Sequence, residues 1–386
     1  MIKSGCTRRK VLQLAMGLGL KGSLGVVGSA ASVASTYADL IQSDSALSLA
    51  MEKEKEAYAR AKYEFRFASP YYSSDWHTNP HMHQQIKQQI EAFSNGEIVV
   101  TIVEAGVAGI GPSLMKRVSH GYISGALISA SNLSPVAPVL DVLNIPFWSA
   151  DNQSYLNLIT SRIWQVEVES RIKQRGLLEV MFPYVVGPRT LTSTRLYNNT
   201  IAKPADLSGV VIRIPTSKVL SNFYRIVQAK TLEIPWGEAS AAASKGLFQV
   251  LDPSIVGLYN GPGSLRRYLG TVCQINSVQD SWLAVINQQW LARLPKYLQH
   301  AMRDACQQVF QQQVSSITTI TNNCLLGLKE AGVTLYSPSS EEKALWQSCC
   351  GHQHDSWQAI KSSILEDDHL FAKLLEATQV NNGYTL

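Results

Sequence analysis

Three groups of residues in this chain have side chains and spacing that could do chemistry. The first is His77, His81 and His83. Two of them stand four residues apart, the separation at which one helix face can hold a metal ion between two imidazoles. Pro80 sets the start of a helix between them. That leaves His77 outside and predicts histidines at an exposed first turn, not ligands. The second group is Cys349-Cys350-Gly351-His352-Gln353-His354-Asp355. It crowds cysteine, histidine and aspartate into seven residues, but adjacent cysteines ligate one metal badly. Trp346 and Trp357 also bracket the cluster in a helical C-terminal region. An exported metal-dependent enzyme using Cys349–Asp355 stays as an alternative, and no metal is assigned.

The third is Arg213, between Ile212 and Ile214 in the apolar run 210–214. A strand alternates its faces, so the guanidinium points away from both isoleucines. A desolvated arginine needs a partner, and its planar fork suits a carboxylate with two parallel hydrogen bonds. An internal ion pair, or an edge-strand place at the surface, satisfies the same pattern. The motifs HExxH, GxSxG, GxxxxGK[S/T] and CxxC are absent. No catalytic residue and no cofactor is assigned.

Elements must position these residues. The chain has 386 residues, 45% hydrophobic and 16% charged, room for about two domains of ~150 residues with a sizeable core. That composition excludes disorder, collagen and coiled coil. The formal charge of +5 is local. Of 34 basic residues, Lys3, Arg8, Arg9, Lys10 and Lys21 fall within residues 1–34, which hold no acid; the other 29 meet 29 acidic residues. The neutral body offers no footprint for nucleic acid.

Residues 1–38 have the layout of an export signal: a positive start, a mildly apolar stretch, then small residues. Thr7-Arg8-Arg9-Lys10-Val11-Leu12 is similar to the twin-arginine export motif, a receptor-read address. Five glycine and lysine positions between Gly17 and Gly25 dilute the stretch below a membrane span. Cleavage is expected after Ala34 or Ala38, with the mature chain in the periplasm. Five cysteines remain, an odd number, so at least one has no partner in a monomer.

Residues 39–62 read as a helical leader. Alternation and apolar runs predict strands at 63–67, 98–103, 126–129, 177–182, 210–214, 232–234, 282–286 and 333–336. Helical spacing predicts helices at 82–93, with Asn95-Gly96 as the stop, and at 114–120, 153–174 and 219–227. A further helix ends at Lys245-Gly246, a long one runs from Pro295 to Gly332, and closing helices start at Ser340. Strand and helix alternate, which predicts an α/β class with mixed, mostly parallel sheets.

From Phe65 to about Gly332 the order of features resembles the solute-binding proteins of TRAP (tripartite ATP-independent periplasmic) transporters. The resemblance rests on Trp76, Ala92-Phe93 and Gly96-Glu97-Ile98. It continues through His120-Gly121-Tyr122-Ile123 leading to Ser129, Asn144-Ile-Pro146-Phe147 and Gly187-Pro-Arg189-Thr-Leu-Thr192. Its most distinctive stretch is Lys203-Pro-Ala-Asp206-Leu-Ser-Gly209-Val-Val-Ile-Arg213-Ile-Pro215. Ile234-Pro-Trp236-Gly-Glu238 follows, then Asn287, Trp290 and Leu294-Pro295.

The resemblance implies a type II periplasmic-binding-protein-like fold, two hinged α/β domains with a ligand cleft between them. The implied division is 63–186 plus about 279–317 for domain I, 187–278 plus about 318–338 for domain II, and 339–386 as C-terminal helices. It implies no catalysis but capture of a small organic acid, held by Arg213 with help from Arg189, and transfer to TRAP permease subunits in the membrane. Trp236 and Ser129 are implied to line the pocket. Two positions depart from the family. Where asparagine is usual the chain has Asp252, which repels a bound carboxylate unless it pairs with Arg189 or Arg213, meets a cation or is protonated. The acid usual after His120-Gly-Tyr-Ile is Ser124. Either a solute bearing an amine or hydroxyl, or a non-transport paralogue with a degraded cleft, accounts for these departures.

Overall fold

The computed structural model describes residues 48–72, 83–367, 369–381 and 383–384. The export signal, Trp76, His77 and His81 lie outside the described residues. A helix covers 48–60, its charged side chains exposed. From Arg60 onward the chain forms one compact unit.

Among the described residues that unit contains β1 (Tyr63–Ala68), β2 (Ile98–Val103), β3 (Gly125–Ser129), β4 (Leu178–Tyr184), β5 (Leu191–Thr194), β6 (Val211–Ile214), β7 (Lys230–Glu233), β8 (Val250–Leu251), β9 (Leu269–Cys273), β10 (Trp282–Asn287) and β11 (Thr334–Tyr336). They form two sheets, in the orders β2-β1-β3-β10-β4 and β11-β9-β5-β8-β6-β7. Both are mixed: β1 runs parallel to β2 and β3, whereas β10 is antiparallel to β3 and β4. In the second sheet β6 is parallel to β7 and β8, and β5 is antiparallel to β8 and β9. The α/β class with mixed sheets is as expected; the antiparallel pairs run to the β4 edge of the first sheet and stand at the centre of the second.

Local chemistry explains the elements. In β1, Phe65 and Phe67 are buried while Glu64 and Arg66 are exposed, the alternation of a strand with one wet face. All six residues of β10 are buried, and the strand lies between β3 and β4 within the sheet. Helix α1 (His83–Phe93) buries Ile86 and Ile90, and Asn95 and Gly96 then take positive φ and end it. Its polarity differs from expectation. His83, read as an exposed first-turn residue, is 2% exposed and lies edge-on to Phe67 at 6.4 Å, while Phe93 is exposed. Burial pushes His83 down to about 4, so the imidazole is neutral.

The helix expected over 153–174 is broken. Asp151 caps Asn152–Ile159, and Ser161 starts a new turn by accepting from Trp164 N. A wide π-helical turn at Gln165–Glu169 then leads into Ser170–Gly176. Strands β5, β8 and β9 had no sequence counterpart, since β5 reads Leu-Thr-Ser-Thr and β8 has two residues.

Helix α2 (Gly111–Ser119) packs on the first sheet and α3 (Lys218–Ile226) on the second. Helix α4 (Lys296–Glu330), 35 residues long, packs on α1 and β4 and also on Ile255–Tyr259 and β11, so it runs along both lobes. Helix α5 (Ser340–Cys350) starts with a capping box between Ser339 and Glu342. It packs on α3, and its buried Trp346 donates to Ala202 O at 2.8 Å. Helix α6 (Gln358–Leu365) packs on Pro138–Asn144, and α7 (Leu370–Ala377) on Asn152–Ile159. Cys273, Cys306, Cys324 and Cys350 are buried thiols, and Cys349 is half-buried.

Candidate functional site

The chain crosses between the sheets in two extended segments, which pair as neighbours. Arg189 N donates to Val278 O at 2.7 Å and Asp280 N to Gly187 O at 3.1 Å. Gly187 takes φ +87 with open space around its missing Cβ, so the requirement there is conformational. Gln313 of α4 satisfies the crossing backbone at Val185. Its Nε2 donates to the carbonyl at 2.5 Å and its Oε1 accepts from the N–H at 3.3 Å.

Arg189 stands on this floor, 4% exposed. Its Nη1 donates to Asp252 Oδ1 at 3.1 Å and its Nη2 to Asp280 Oδ1 at 2.9 Å. Burial works against the guanidinium, but Asp280 and Asp252 outweigh it and hold the pKa above the ordinary value. Asp252 follows β8 and is fully buried. Tyr224 of α3 donates to its Oδ2 at 3.0 Å. Burial raises the Asp252 carboxyl, against the pull of Arg189 and Arg213. Asp280 takes the Ser254 N–H and hydroxyl on Oδ2. Arg189 is therefore neutralised twice over and fastens the second lobe to the crossing segments.

Arg213 is placed differently. It lies in β6 between β7 and β8, 3% exposed. Nε and Nη2 both donate to Ile234 O, at 2.9 and 2.5 Å, and the Trp236 ring centre lies 5.3 Å from Cζ. One carbonyl and one indole thus fix the plane of the fork. The edge formed by Nη1 and the second Nη2 hydrogen is left facing the cavity. Burial, then the neighbouring Arg189 charge, lowers Arg213 to about 10, which leaves it charged at neutral pH.

Opposite stands an uncharged wall. Tyr71 follows β1, and burial raises its phenol well above the ordinary value, keeping the proton on. Ser129 ends β3 and accepts from Asn132 Nδ2 at 2.7 Å. The first turn of α2 adds Gly111, Pro112 and Ser113, and β10 adds Trp282. The two walls enclose a cavity of about 520 Å³.

Of the residues singled out from sequence, Arg189, Arg213, Trp236 and Ser129 line this cavity and Asp252 does not. Asp252 sits behind Arg189, in one of the pairings that relieves its repulsion. Asp280, Tyr71 and Asn132 were missed. Asp280 left one legible signal, an acid just ahead of the apolar run Trp282–Ile286 of β10.

The Cys349–Asp355 cluster diverges. Cys350 Sγ lies 3.1 Å from Trp346 O, His352 Nδ1 lies 3.2 Å from Phe147 O, and His354 Nδ1 caps Ser356. Among the described residues no group of three His, Cys, Asp or Glu side chains could hold a metal ion. Among the same residues no helix is long and apolar enough to cross a membrane.

Comparison with known proteins places this geometry. The 2,3-diketo-L-gulonate-binding periplasmic protein YiaO of Escherichia coli K12 is 20% identical over 289 residues, covering 75% of this chain and 83% of its own. A TRAP periplasmic solute-binding protein from Desulfovibrio salexigens, solved with orotic acid, superposes with a TM-score of 0.73 at 18% identity, over 82% of this chain and 99% of its own. The sugar-acid-binding protein DctPAm from Advenella mimigardefordensis, solved with galactonate, gives 0.74 at 15% identity, over 83% and 98%. The profile of the DctP family, bacterial extracellular solute-binding protein family 7, matches residues 72–359, and the chain belongs to that family.

Proposed function

We propose that this protein is the solute receptor of a TRAP transporter, capturing a small organic acid in the cleft and delivering it to membrane permease subunits. The observation that carries this reading is the free edge of Arg213, fixed by Ile234 O and Trp236 at the wall of a cavity sized for a small molecule. A carboxylate meeting that edge gains two charge-assisted hydrogen bonds without having to order the arginine. The relatives named above bind diketogulonate, orotate and galactonate, each a carboxylate at neutral pH. A pocket with Arg213 unobstructed supports a working cleft over a degraded one.

The proposed cycle starts on the second lobe, where Arg213 takes the carboxylate. The first lobe then closes over the rest of the solute, turning about the paired crossings. Only a solute that touches both walls favours the closed state. Export by the twin-arginine route completes the proposal. Replacing Arg8 and Arg9 with lysine should block export, and exported protein should lack Met1 on intact-mass analysis. For the capture itself, mass spectrometry of the molecule released on denaturing purified protein should show a carboxylic acid. A released compound without an acid group would refute the reading.

A further inference from the structure

Every formal charge on the cavity wall can be assigned among the described residues. Two residues are cationic, Arg189 and Arg213, and three are anionic, Asp280, Glu233 and Glu238. Arg189 has both Nη atoms on carboxylates, Asp252 and Asp280, so its charge is already matched, although its Nε is buried without a hydrogen-bond partner. Among the described residues, the guanidinium whose charge no paired carboxylate matches is that of Arg213. The opposite wall carries hydroxyl, amide and backbone groups from Tyr71, Ser113, Ser129 and Asn132, and no charge among the described residues. Residues 73–82, outside the described set, contain no lysine or arginine, and their ionisable side chains are Asp75, His77 and His81.

Resting on the acid-capture reading, we infer that the cleft selects acids with one carboxylate and an uncharged, hydroxyl-bearing remainder, and that it rejects dicarboxylates. A second carboxylate entering this cavity finds no unmatched cation among the described residues. It sheds water beside Glu233 or Glu238, or is pressed against neutral hydroxyls. A hydroxyl at the same position loses nothing comparable, because serine, asparagine and tyrosine side chains both donate and accept. Number of charges, more than length of the solute, is what this wall discriminates.

The test uses matched pairs in which a terminal CH₂OH is replaced by a carboxylate: glycerate with tartronate, gluconate with glucarate, galactonate with galactarate. Titration calorimetry on the mature protein should show at least one monoacid binding and its diacid weaker by on the order of 100-fold. Glu233→Lys adds a cation at the exposed rim and should narrow that gap to roughly 10-fold or less. A diacid binding as tightly as its monoacid overturns the inference and leaves acid capture standing. If neither member of any pair binds, the inference is overturned, and acid capture is decided separately by the compound released from purified protein.

Discussion

The two walls of the cleft solve the same problem in opposite ways. The second-lobe wall is built on charge. Arg213 is held by a carbonyl and an indole, Arg189 is locked between two acids, and Glu233 and Glu238 stand at the rim. The first-lobe wall has no charge among its described residues and offers Tyr71, Ser113, Ser129 and Asn132. The contrast teaches a division of labour. On the proposed reading, charge placed on one lobe would give the solute a fixed first contact, and neutral groups on the other would judge its remainder at a lower desolvation cost.

The strongest way to break this picture is at Arg189. Arg189→Met leaves Asp252 and Asp280 buried without their counter-charge and should destabilise the fold by ~3–5 kcal/mol, read from denaturant unfolding. A loss within ~1 kcal/mol, as for a surface pair, would show that Arg189 is not a structural fastener. Arg213→Ala should leave the fold intact and cost ~2–5 kcal/mol of binding, on the order of 30- to 5,000-fold in Kd. Arg213→Lys should recover little of this, because an ammonium lacks the fork. Unchanged calorimetric affinity in a folded Arg213→Ala variant would sink the carboxylate clamp.

The lobes should also separate in their response to pH. His83, in the first lobe, is neutral when folded, with a pKa lowered from 6.5 to about 4. The unfolded chain takes a proton below pH 6.5 and the folded chain does not, so stability falls as pH drops. The full effect of this one group is ~3 kcal/mol across the window from 6.5 to about 4. Asp252, in the second lobe, has a raised pKa and works in the other sense, favouring the fold as it becomes protonated. His83→Leu should flatten the acid side of the stability curve, and an unaltered curve would rule His83 out as its cause. The smallest effect is expected at the neutral wall. Ser129→Ala removes one hydrogen-bonding hydroxyl and should weaken solute binding by ~0.5–1.5 kcal/mol, with no change in its ionic-strength dependence.

Much of this was legible in the sequence, for reasons that can be named. The alternation in Tyr63-Glu-Phe-Arg-Phe67 and the stop at Asn95-Gly96 are local codes, and both elements formed there. Arg213 stood out because a charge in an apolar strand needs a partner. Where the code is not local the reading failed. Leu191-Thr-Ser-Thr194 is a strand because β8 and β9 flank it, not because of its own residues. The pairing of Arg189 with Asp252, 63 residues along the chain, was one of the alternatives open in the sequence, but its second partner, Asp280, was not foreseen, since no spacing rule joins them. His83 lay on the buried side because α1 packs its first turn against Phe67, a contact absent from the helical period itself.

Helix α4 has a mechanical consequence. Gln313, which grips the crossing backbone at Val185, is its midpoint, with 17 residues on either side. Each arm is ~26 Å long at ~1.5 Å per residue. Tilting one lobe by ~10° about that fulcrum would carry the end of an arm ~4–5 Å, nearly the pitch of a helix. A rod held at its centre and packed on both lobes acts as a lever. A displacement at the floor of the cleft that is too small to alter any hydrogen bond there becomes, at the far surfaces, a change of shape large enough for another protein to read.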